Sequence, residues 1–154
     1  PLHCKETYYF VPLEEAPFQT FVDQLNLKAT VILKKAAEIG TIPANSKVIV
    51  GFHKDNSTAY KPYKISDASK KVLADLSKNQ QVILNVFGSA YALKDIDISK
   101  ISTVSVSYEN NDDSMTATAK AFNGATRISG RLPVLVNEKL KAGMGIDLNI
   151  LTGK

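Results

Sequence analysis

The sequence is poor in the residues that build cross-links and metal centres. Its 154 residues include one cysteine, Cys4, two histidines and no tryptophan. A single thiol excludes an internal disulfide and any metal site made from several cysteines, although it does not fix the compartment. Long apolar runs are also missing. The longest, such as residues 82–84, are far too short to cross a bilayer, so no membrane span is expected. No secretory leader is visible, because Pro1, Leu2, His3, Cys4 and Lys5 lead directly into a strand-like run. Arginine is scarce as well: seventeen lysines and two arginines stand against fifteen acids, for a net charge of +4. The lysines are scattered. The densest stretch, Lys54, Lys61, Lys64, Lys70 and Lys71 with Tyr60 and Tyr63 between them, has the make-up of a single-strand nucleic-acid track. A solvated loop and helix face has the same make-up, and with charge so dispersed no nucleic-acid partner is expected.

What is present is the composition of a globular domain, 44% hydrophobic and 22% charged, at a length suited to one domain with a real core. Thr7–Leu13 (TYYFVPL) is aromatic and β-rich, and Pro12 brings the strand to its end. Phe18, Phe21, Val22 and Leu25 then recur at helical spacing behind Glu14 and Glu15. Residues 28–33 read as a second strand and residues 36–39 as a helical turn closed by Gly40 and Pro43. Residues 47–52 (KVIVGF) and 81–87 (QVILNVF) are continuous apolar runs, as expected of strands buried on both faces. Between them, Ser66 or Asp67 caps a helix expected to bury Ala68, Val72, Leu73 and Leu76.

Residues 101–108 alternate, with Val104, Val106 and Tyr108 on one face and Ser105 and Ser107 on the other. Asp112 or Asp113 is the expected cap of a helix carrying Met115, Ala119 and Phe122, with Gly124 just beyond its end. Residues 131–136 and 146–150 read as closing strands. In the first of these, Leu132 and Val134 are expected to be buried, Gly130 to allow a close approach, and Arg131 to hold a carboxylate or loop carbonyls. Strands and helices thus alternate, which predicts an α/β three-layer sandwich: a mostly parallel sheet with helices on both faces, of flavodoxin-like topology. Functional loops in such sheets follow the carboxyl ends of the strands.

Common site motifs are absent. Neither G-x-G-x-x-G nor a P-loop follows an early strand, and no serine sits in a G-x-S-x-G elbow. A phosphoacceptor domain needs an Asp directly after its third strand, where this chain has Gly51-Phe52-His53. Asn56-Ser57-Thr58 matches a glycosylation sequon, a pattern frequent by chance. His53 and Asp55, two apart at a strand end, have the spacing of an imidazole oriented by a carboxylate. With no neighbouring nucleophile, a polar loop closing the strand is the favoured interpretation of that pair.

Read in order, the later motifs resemble the C-terminal domain of glycoside hydrolase family 3. They are the strand and glycine turn Val86-Phe87-Gly88-Ser89-Ala90-Tyr91, the strand end Val106-Ser107-Tyr108, the helix end Phe122-Asn123-Gly124, and Ser-Gly-Arg-Leu-Pro-Val at residues 129–134. In the first half, Val48-Ile49-Val50-Gly51 stands where the family has a buried strand before a substrate-facing loop; the resemblance spans roughly residues 5–150. It implies a single domain, residues 1–154, that is a fragment of a larger multidomain glycosidase, with a (β/α)8 barrel preceding it in the same chain and carrying the catalytic nucleophile. The glucosidase branch takes its general acid from the loop after the Gly51-type strand. Here that loop reads Phe52-His53-Lys54-Asp55-Asn56-Ser57, without a glutamate. The chain therefore looks closer to the β-N-acetylglucosaminidase branch, whose retaining chemistry resides on the barrel.

What the resemblance implies is an accessory domain, with no catalytic residue, cofactor or metal of its own and a carbohydrate bound at the domain interface. The candidate substrate-facing residues are His53, Lys54, Asp55, Asn56, Tyr108 and Glu109, which follow parallel strands. Localisation is not fixed by the sequence; the resemblance favours a periplasmic or extracellular parent. The alternatives are a free-standing module for a small ligand or carbohydrate, and an independent hydrolase using His53 and Asp55.

Overall fold

The computed structural model describes residues 1–54 and 63–150. Three seven-residue strands, β1 (Thr7–Leu13), β3 (Lys47–His53) and β4 (Gln81–Phe87), form the centre of the sheet, flanked by the four-residue strands β2 (Thr30–Leu33) and β5 (Thr103–Val106). The order is β2-β1-β3-β4-β5 and every pairing is parallel. This is the flavodoxin-like order, in an α/β three-layer sandwich. The apolar runs in β3 and β4 follow from that position, since an inner parallel strand is covered on both faces.

Strand alternation divides the core in two. Tyr8, Phe10, Ile49 and Phe87 face α1 (Gln19–Leu25) and α3 (Asp112–Phe122), meeting Phe21, Val22, Leu25, Met115 and Ala119. Val11, Val48, Val50, Val82, Leu84 and Val86 face the other way, onto Leu73 and Leu76 of α2 (Asp67–Asn79) and the 3-10 turn Ala90–Leu93. Each fully buried side chain of this size contributes about 1.5–3 kcal/mol. The helices α1 and α3 lie side by side, tied by Thr20 Oγ1 to Asp112 Oδ1 at 2.6 Å and Asn123 Nδ2 to the Gln24 carbonyl at 3.0 Å. A wholly buried amide, Asn85, lies under α3. It accepts from Ser105 Oγ at 2.5 Å and donates to Ser107 Oγ at 3.1 Å, and Ser107 in turn meets Thr118 at 2.6 Å.

Several local expectations need correction. The cap of α3 is Asn111, whose side chain accepts from the Ser114 amide at 2.8 Å. Asp112 and Asp113 occupy the first turn instead, where the helix dipole favours acids. In α2, capped by Ser66 as expected, Ala68 is exposed and Ser69 is buried in its place. The last strand stops at Val106, because Tyr108 turns into a left-handed backbone at φ 62°. Gly124, at φ 73°, closes α3 as anticipated.

The two closing strands do not form. Residues 125–150 are held by one antiparallel bridge, Ile128 to Leu148, and by scattered backbone bonds such as Leu132 N to the Met144 carbonyl at 2.7 Å. Pro133 has no amide to donate, and Leu135, Met144 and Ile146 remain exposed, so neither pairing nor burial sustains a ladder. Leu132 and Val134 are half-buried against the α2-side core. Arg131 does hold a carboxylate, Asp147 at 3.0 Å, and the carbonyls of Ser129 and Gly130. The close approach expected at Gly130 occurs at Gly145, where a Cβ would collide with the Gly130 carbonyl. Among the described residues no helix is long and apolar enough to cross a membrane.

Candidate functional site

The chain leaves β1 toward α1 on one side of the sheet and leaves β3 toward α2 on the other. The carboxyl ends of these adjacent strands therefore part around an open cleft of about 710 Å³, lined in part by Leu13, Glu14, Pro17, Lys54, Ser66 and Ser69. This is the switch point at which doubly wound sheets bind ligands.

Glu14 organises the cleft. It takes a left-handed backbone, φ 69°, directly after β1, and its side chain is only 10% exposed. One carboxylate oxygen accepts from the Ser66 amide at 3.0 Å and the other from Lys54 Nζ at 3.1 Å. Burial raises the carboxyl pKa, but bonds from the Ser66 amide, Ser69 and Lys54 outweigh it and hold the group below its ordinary value. The N-terminus of α2, where such folds receive phosphate, is thus filled by the protein's own carboxylate. Lys54 is equally committed: it also donates to the Lys64 carbonyl at 3.0 Å.

His53 borders the cleft, yet its ring is fully buried. The ring stacks on Phe87 with centroids 4.5 Å apart and is edged by Phe10, Phe18 and Phe21. Nδ1 lies 2.8 Å from Asn110 Oδ1, and Asn110 Nδ2 donates to the Pro17 carbonyl at 3.0 Å. That second bond orients the amide, so the imidazole proton resides on Nδ1 and Nε2 carries a lone pair. Nε2 has no hydrogen-bond partner among the described residues and faces Gly51, where a Cβ would strike it. The Pro17 carbonyl is near enough to favour a charged ring, but it lies outside hydrogen-bond geometry to Nε2. Desolvation dominates over the Asn110 bond and lowers the pKa to about 4, leaving a neutral imidazole. A ring enclosed in this way does not reach a substrate in the cleft.

Tyr108 and Glu109 lie on the loop between β5 and α3. Tyr108 is 41% exposed, and its pKa is raised by desolvation. Glu109 is exposed and accepts from Asn111 Nδ2 at 2.7 Å. The His53–Asn110 bond brings this loop to the end of β3, so four of the six candidates are placed on one rim. Asp55 and Asn56 lie outside the described residues, as do the sequon and Tyr60 and Lys61.

Sequence reasoning missed Glu14, Asn110 and Ser69 as organisers. The available signals were two acids directly after a strand and the doublet Asn110-Asn111 beyond β5. Among the described residues no group of three or more His, Cys, Asp or Glu side chains is placed to hold a metal. A scan against known protein families finds none that matches the chain, and no curated protein matches it either.

Proposed function

We propose that the chain is the C-terminal accessory domain of a family 3 glycoside hydrolase of the β-N-acetylglucosaminidase or β-glucosidase type. In this role it packs on a (β/α)8 barrel of the same polypeptide and shapes one wall of its sugar cleft. The observation that carries the proposal is an open cleft at the switch point whose central polar side chains are held by the protein itself: Glu14 by Lys54 and Ser66, and His53 Nδ1 by Asn110. Held in this way, Glu14, Lys54 and His53 contribute shape to the cleft, and Glu15 lines it as an exposed acid. In support, the residues behind the resemblance fall at element ends: Gly88 closes β4, Tyr108 follows β5, and Phe122-Asn123-Gly124 finish α3. A periplasmic or extracellular parent follows from the same proposal.

The test has two parts. The reading frame upstream should encode a barrel of roughly 250 residues or more. The isolated chain should leave aryl β-N-acetylglucosaminide and aryl β-glucoside intact. Turnover that persists through repurification and disappears in His53→Ala would establish an independent hydrolase. A frame without a barrel would point to a free-standing module for a small ligand or carbohydrate.

A further inference from the structure

Two exposed aromatic rings meet on the carboxyl-end rim, neither of them among the candidate substrate-facing residues. Tyr63, on the segment leading into α2, and Tyr91, in the 3-10 turn after β4, each show 41% of their surface to solvent. Their centroids are 6.0 Å apart and their planes cross at 51°, so the rings meet in a tilted pair. Single exposed aromatics need no explanation. Two that arrive from different strand-end loops and touch, on the side of the sheet where ligands bind, do need one.

Both rings sit on firm supports. Tyr63 precedes Lys64, whose carbonyl is held by Lys54 Nζ, and Ser66, whose amide is held by Glu14. Tyr91 lies between the buried Ala90 and Ala92, in a turn capped by Ser89 Oγ at 3.3 Å from the Tyr91 amide. Neither hydroxyl is hydrogen-bonded to a described residue, so each is available to a ligand. Of the described chain neighbours Lys64, Ala90 and Ala92, none carries a carboxylate and Lys64 is itself cationic, which opposes the attraction of the two π faces for a cation. A flat, neutral ligand with weakly polarised C–H groups on one face and hydroxyls at its edge suits this pair of rings, because the negative π face attracts such hydrogens.

We propose that Tyr63 and Tyr91 form a stacking platform for a neutral hexopyranose at the carboxyl end of the sheet. The choice of a sugar, rather than another flat neutral ligand, rests on the accessory role proposed above. Titration of the 154-residue chain with N,N′-diacetylchitobiose and with methyl β-glucoside, followed through the tyrosine ring NMR signals, tests it. Saturable shifts confined to Tyr63 and Tyr91 are expected with at least one sugar. Tyr63→Ala and Tyr91→Ala should each weaken binding about two- to tenfold, the worth of one aromatic contact, while Tyr91→Phe retains the stacking. Rings silent to both sugars, or a dissociation constant unmoved by either alanine, would overturn the platform. An upstream barrel together with silent tyrosines would sink the platform and spare the accessory role. Responsive tyrosines with no barrel upstream would keep the platform and make the chain a free-standing carbohydrate module.

Discussion

Burial of a neutral imidazole makes stability depend on pH in a calculable way. The His53 pKa is lowered from 6.5 to about 4 in the fold, so between those values the unfolded chain binds a proton that the folded chain refuses. Stability is therefore fully present above the unfolded pKa and is lost as pH falls toward the folded one. At 1.36 kcal/mol per pKa unit, the shift amounts to about 3 kcal/mol. His53→Asn is the informative perturbation, since its amide nitrogen can replace Nδ1 as donor to Asn110 Oδ1 but does not titrate. The variant should be less stable at pH 7.5, because the ring's packing against Phe87 is lost. Urea denaturation at half-unit steps from pH 7.5 to 4.5 should then show the wild type losing stability more steeply than the variant, so that the two curves converge. Using the difference between them cancels carboxylates common to both, such as Glu6, Glu14 and Asp97, whose pKa values are also lowered. A gap that stays constant across that range would refute the buried, neutral His53.

Glu14→Gln preserves length but removes the charge that Lys54 and the α2 N-terminus share. It should cost about 1–3 kcal/mol by chemical denaturation at neutral pH. Because the Glu14 pKa is lowered, that cost should shrink as pH falls through the carboxylate range, and a cost independent of pH would contradict the ion pair. Asn85→Leu is similar in volume but takes the amide partner from the hydroxyls of Ser105 and Ser107, leaving the first with the Leu84 carbonyl at 3.4 Å and the second with Thr118, for an expected loss of about 1–3 kcal/mol. Adding Ser105→Ala and Ser107→Ala should restore part of that loss, and a triple variant no more stable than the single one would show that packing, not hydrogen bonding, is at stake.

The sheet was legible because its inner strands are covered on both faces and so read as unbroken apolar runs. The helix α1 was legible because Phe21, Val22 and Leu25 must all face the same layer. The C-terminal segment was misread for the converse reason. Residues 131–136 and 146–150 alternate as strands do, yet alternation specifies a strand only when a neighbouring ladder accepts it, and Pro133 and the exposed Leu135 and Ile146 leave none. Of the site, position on the rim followed from strand order, since a residue just past β3 must lie at the carboxyl edge. Orientation did not. Whether His53 looks into the cleft or under α1 depends on strand parity and on the space that Gly51 leaves, and Glu14 gains its role through partners some forty and fifty residues away.

The unequal strand lengths bear on how the molecule avoids sticking to itself. An unpaired strand edge is a template onto which another chain can add, and long flat edges invite fibres. Among the described residues the inner strands run for seven residues, but the two at the edges of the sheet run for four. Lys28 precedes β2 and Lys34 and Lys35 follow it, so a second copy aligning on that edge would bring like charges together. At the opposite edge β5 is bordered by Ser102 and Ser107, whose backbone amides already bond to the carbonyls of Val82 and Val86. A newcomer would find too little ladder on either side to stabilise its docking, and the sheet ends where it does.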